Sequence, residues 1–122
     1  MAIDNFINRY TQPVIDLLNS ARAFLLTTCP DLIEELDAPS RIVVYRIAAG
    51  NEGIVFTLIP SRNGVKLGFY RGRALLDPAG LMQGHGKVHT TIPFTAELLE
   101  NPDLKELVLS ATQSARERNS RR

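Results

Sequence analysis

The sequence predicts an α+β domain: an antiparallel sheet of about four strands, with N- and C-terminal helices packed on it. Three observations carry that reading. Apolar residues recur at helical spacing over residues 13–28. Between residues 42 and 92 the apolar period shortens to two. Helical spacing then returns from residue 101 onward. A helix, a run of strands and a helix make an α+β layout rather than alternating βα units.

Each element has its own local cause. In the first helix Val14, Leu17, Leu18, Ala21, Phe24 and Leu25 follow an i, i+3, i+4, i+7 stripe. Thr11 is a candidate cap, and Pro13 suits a first turn, where its missing N–H costs nothing. Pro30 stops the helix. Asp31 to Leu36 is expected to form a short acidic turn or helix, ended by Pro39. Residues 42–47, 54–59 and 65–70 alternate as strands, with a turn at Asn51–Gly53 and a hairpin signal at Asn63-Gly64. A loop from Arg71 to Gly86 precedes a fourth strand carrying Val88, Thr90 and Ile92. Thr95 to Glu100 is a short helical candidate. Asn101-Pro102 opens a last helix whose buried stripe is Leu104, Leu107, Val108, Ala111 and Ala115. Residues 116–122 read as a frayed, charged tail of one domain spanning residues 1–122.

Composition bounds the function. With 122 residues and 44% apolar content the chain can bury a core without metal or disulfide staples. A formal net charge of +1 disfavours a nucleic-acid binder driven by bulk charge. One cysteine excludes an intramolecular disulfide framework and fits a reducing cytoplasm. The first ten residues hold Asp4 and Arg9 and no apolar run, so no signal peptide is expected. No apolar stretch approaches the ~20 residues of a membrane span. The charge is uneven, however. Residues 1–40 hold six acids against two arginines, whereas residues 41–94 hold seven cations against two acids. The two regions either attract each other in the fold or form two ligand surfaces.

Two clusters could carry chemistry. On a helix, Asp31, Glu34 and Glu35 would share one face, with Asp37 close behind. Such carboxylates can hold a hard cation weakly, but the same acids also fit a solvated surface complementing a helix dipole. The second cluster is basic. Arg71, Arg73, His85, Lys87 and His89 flank Gly72, Gly84 and Gly86. Glycines let backbone N–H groups approach an oxyanion, and the cations supply charge. This loop would take a small anion or metabolite, or an acidic protein partner. The alternative is a set of turns at a solvated sheet edge. Gly84-His85-Gly86-Lys87 is not a P-loop, lacking its four-residue gap and its Ser/Thr.

Other candidates are weaker. His85 and His89 would stand roughly 13 Å apart on a strand, too far to share a metal. Cys29 ends the first helix, where the field opposes a thiolate, so it reads as a buried thiol. No nucleophile–base pair is evident, and an enzyme ranks last. Exposed sheet edges tend to pair, which leaves room for a homodimer.

The ordered set Leu67-Gly68-Phe69, Leu76-Asp77-Pro78-Ala79-Gly80-Leu81 and Gly84-His85-Gly86-Lys87 resembles the YdhG-like domain-of-unknown-function family (DUF1801). The segment Pro30-Asp31-Leu32-Ile33-Glu34-Glu35 also resembles the acidic segment of that family. Where many members carry a Trp-Gly pair, this chain reads Leu36-Asp37-Ala38-Pro39. The resemblance spans nearly the whole chain and implies a compact α+β domain. For part of the family it implies a frataxin-like iron chaperone. Carried to this chain, that means weakly bound iron at Asp31, Glu34, Glu35 and Asp37.

Overall fold

The computed structural model describes residues 2–71, 81 and 89–120. Helices α1 (Ala2–Ile7) and α2 (Gln12–Thr28) lead into strands β1 (Ile33–Asp37) and β2 (Ile42–Arg46). Strands β3 (Ile54–Pro60), β4 (Val65–Tyr70) and β5 (His89–Phe94) follow, and helix α3 (Pro102–Ser120) closes the chain. The strands form one antiparallel sheet in the order β1-β2-β3-β4-β5, so β1 and β5 are its edges. The α+β fold expected from the sequence is present, with five strands rather than four. Among the described residues no helix is long and apolar enough to cross a membrane.

Period two places alternate side chains on opposite faces. On one face Val43, Tyr45, Phe56, Leu58, Leu67, Phe69, Ile92 and Phe94 are all buried. Phe56 and Phe69 pair across β3 and β4, edge to face, with ring centroids 5.5 Å apart. The helices cover this face. Helix α2 contributes Val14, Leu18, Ala21 and Leu25, and α3 contributes Leu104, Leu107, Val108 and Ala111. Burying each such large side chain is worth about 1.5–3 kcal/mol. One buried polar contact ties the two helices. Thr112 donates its hydroxyl proton to the Val108 carbonyl oxygen (3.0 Å), so the Cys29 thiol is the donor in its 3.1 Å contact with Thr112 Oγ1. Cys29 is thus the buried thiol the sequence suggested.

Four local readings need correction. The segment over residues 31–37 is not helical: Ile33–Asp37 is strand β1, paired with β2 from Ile33↔Arg46 to Asp37↔Ile42. Residues 2–7, given no element above, form α1, which buries Ile3, Phe6 and Ile7. Residues 116–120 are not frayed but complete α3. There Arg118 donates to the Ile54 carbonyl oxygen (3.2 Å) and Asn119 to that of Glu52 (2.9 Å). Thr11 occupies the N-cap of α2 without a side-chain capping bond. By contrast, Asn101 caps α3, accepting the Asp103 N–H at 2.9 Å.

The turns are as informative as the strands. Ala38–Arg41 joins β1 to β2, closed by the Arg41 N–H on the Ala38 carbonyl oxygen (3.1 Å). Arg41 has φ 58, the left-handed region in which glycine is the usual residue. The β3–β4 hairpin forms, yet neither Asn63 nor Gly64 takes a positive φ. A four-residue loop, Ser61–Gly64, makes the reversal instead, with Ser61 N–H donating to the Gly64 carbonyl oxygen (2.8 Å).

Candidate functional site

Read as a helix, the acidic segment gathers Asp31, Glu34 and Glu35 on one face, with Asp37 close behind. As a strand it separates them. Glu34 points to the helix-covered face, and Glu35 and Asp37 to the other. Each also has a separate partner. Asp31 accepts from Arg116 (2.7 Å), Glu35 pairs with Arg46 (3.2 Å), and Asp37 accepts the Ser40 N–H (3.4 Å). Among the described residues no three His, Cys, Asp or Glu side chains cluster to hold a metal ion. The shared face that would have bound iron at Asp31, Glu34, Glu35 and Asp37 does not form.

Glu34 is instead the centre of a structural clamp. Arg22 of α2 reaches it through Nε and Nη2, both at 3.0 Å, and Tyr45 donates its hydroxyl at 2.6 Å. Arg22 also reaches Asp4 of α1 at 3.3 Å. Three elements therefore meet at one guanidinium, and β2 joins them through Tyr45 on Glu34. Burial pushes the Glu34 carboxyl up, but the bonds from Arg22 and Tyr45 outweigh it and hold it below its ordinary value. Burial, then the bond to Glu34, pushes the Tyr45 phenol well above the usual tyrosine range.

These shifts set a pH window. Glu34 is more acidic folded than unfolded, so its contribution is complete above a free carboxyl value of about 4 and fades below it. Tyr45 is less acidic folded than unfolded, so its contribution is complete below about 10 and fades above it. Tyr45→Phe should cost about 1–3 kcal/mol at pH 7. Urea unfolding at pH 3, 7 and 11 reads both effects. The variant should flatten the alkaline decline, and an unchanged decline would remove Tyr45 as its source.

Only two residues of the basic cluster lie within the described structure. Gly72, Arg73, Gly84, His85, Gly86 and Lys87 fall outside the described residues, and His89 is placed on β5 as backbone. Arg71, at φ 57, is committed to an ion pair with Glu52 at 2.6 Å. Hydrogen bonds to Glu52 and Tyr70 raise its pKa. Arg118 lies 3.8 Å from the same carboxylate, and both guanidiniums sit over the Tyr70 ring, at 5.7 and 5.6 Å. Burial lowers the Arg118 pKa, against the pull of Glu52. This end of β4 is a structural knot of two guanidiniums on one carboxylate that docks α3.

A second basic feature lies elsewhere. A groove of about 580 Å³ runs between α1 and the β1–β2 turn. Its apolar lining is Phe6, Tyr10 and Leu36, and the Phe6 and Tyr10 rings meet edge to face at 5.5 Å. Arg9 and Arg41 line it as well, and neither guanidinium has a hydrogen-bond or ion-pair partner among the described residues. Arg22, Arg46, Arg71, Arg116 and Arg118 all form ion pairs. No family model, no curated protein and no solved structure matches this chain. The groove is therefore read on its own chemistry.

Sequence reasoning missed both halves of this groove. Arg9 follows a helix too short to show a clear period. Arg41 sits in a turn, and its only signal was Pro39 two residues before it, which marks a reversal without fixing the φ of its last residue.

Proposed function

We propose that this chain is a binding protein for a small organic carboxylate with an apolar body, seated between α1 and the β1–β2 turn. The observation that carries the reading is the pair of uncompensated guanidiniums, Arg9 and Arg41, beside an apolar floor. Guanidinium forks match carboxylate geometry and give charge-assisted bonds, while Phe6, Tyr10 and Leu36 cover the hydrocarbon part. The volume falls within the ~300–1,000 Å³ of small-molecule sites. The backbone of Arg41 adds support. A left-handed arginine costs about 1–3 kcal/mol, and such strain collects at binding sites.

Arg41→Gly separates function from stability. Glycine relieves the left-handed conformation, so stability should hold or rise by about 1 kcal/mol. Binding of hexanoate or benzoate should fall about tenfold or more with the lost charge-assisted bonds. Isothermal titration against wild type, Arg9→Gln and Arg41→Gly measures this. Equal affinity in all three would refute the reading, as would inorganic phosphate binding as tightly as hexanoate.

A further inference from the structure

We infer that the sheet face turned away from the helices carries a second site, which takes a small neutral aliphatic molecule bearing a hydroxyl or carbonyl oxygen. A groove of about 370 Å³ crosses β2 and β3 on that face. Ile42, Val44 and Ile54 give it a purely aliphatic floor. Thr57, beside Val44 in the register, also lines it.

Two unsatisfied polar groups point to a ligand. Thr57 is 3% exposed, and its Oγ1 has no hydrogen-bond partner among the described residues. Arg46 Nε is likewise buried without one, although Glu35 lies 3.2 Å away as an ion pair. Arg46 is held in place, since its Nη1 donates to the Gly50 carbonyl oxygen at 3.0 Å. Among the described residues only three buried side-chain polar atoms lack a partner, and these two line the same groove. Buried polar groups are normally satisfied, so this coincidence marks a place for a further polar atom.

The chemistry of that atom follows from its neighbours. Arg46 Nε–H requires an acceptor, and the Thr57 hydroxyl can donate or accept. A hydroxyl or carbonyl oxygen offers the acceptor that each of them can use. The rim carries Glu35 and Asp37 against Arg46, so it repels an anion. With only aliphatic side chains on the floor among the described residues, the fitting body is aliphatic. Apart from Leu36, which lines both, this groove shares no lining residue with the Arg9–Arg41 groove, and it differs in charge.

Pentanamide and pentanoate, equal in shape but different in charge, make the test. In an NMR titration pentanamide should shift the methyl signals of Ile42, Val44 and Ile54, with pentanoate at least about tenfold weaker at those methyls. Thr57→Val, which removes only the unpaired hydroxyl, should weaken pentanamide about tenfold while raising the thermal midpoint. Thr57→Ser, which keeps the hydroxyl, should bind within about threefold of wild type. Unchanged affinity in Thr57→Val would overturn the site. Pentanoate matching pentanamide at these methyls, or pentanamide shifts confined to Phe6 and Tyr10, would do the same.

Discussion

Arg22→Met is expected to destabilise the fold by about 2–4 kcal/mol, the lower part of the range reflecting partial solvent access. Arg22 and Glu34 are 17% and 14% exposed in their side chains, so water screens the pair only partly. Methionine keeps the aliphatic bulk but leaves the Glu34 carboxylate with one donor, Tyr45, and frees Asp4 from α2. The cost therefore comes from stranding a half-buried charge rather than from losing volume. The double variant Arg22→Met, Glu34→Met should recover most of the loss, because no charge is then left stranded. Urea unfolding of the four proteins in this cycle gives the coupling. A single variant within about 0.5 kcal/mol of wild type would show that the clamp does not hold α1 and α2 to the β1–β2 hairpin.

Gly53→Ala should cost about 3 kcal/mol, against almost nothing for Gly64→Ala. A Cβ at Gly53 would overlap the Ala48 backbone, its carbonyl oxygen above all. That backbone cannot easily yield, because Gly53 accepts from the Ile47 N–H (2.8 Å) and donates to the Gly50 carbonyl oxygen (3.1 Å). The same short turn receives Asn119 from α3, so the damage should spread to the docking of that helix. A Cβ at Gly64 meets nothing within 4 Å. Gly50, at φ 81 but with open space around it, should fall between the two. Any other order of the three midpoints would mean that this turn has more freedom than its contacts allow.

Much of the fold was legible because its elements have strong, long patterns. Val14 to Leu25 and Leu104 to Ala115 each repeat a helical stripe over three turns, and residues 42–47, 54–59 and 65–70 alternate cleanly. Strand β1 was not legible, since Ile33-Glu34-Glu35-Leu36 carries too few residues to distinguish periods. Its state is decided by pairing with β2 and by the pull of Arg22 and Tyr45 on Glu34, which are contacts distant in sequence. The shared face read for Asp31, Glu34 and Glu35 depends on the same period, because it exists only if the backbone is helical. The candidate groove was illegible for a related reason. Arg9 and Arg41 lie 32 positions apart, and only the packing of α1 beside the β1–β2 hairpin brings them to one groove.

The central claim is that two arginines, unpaired among the described residues and set over Phe6, Tyr10 and Leu36, form a carboxylate site. Its most direct test is a hexanoate titration followed through the Arg9 and Arg41 side-chain N–H signals and the Phe6 ring signals. Saturable shifts at all three, absent with hexanol, are the predicted result. Shifts that never saturate, or that appear equally with hexanol, would contradict it.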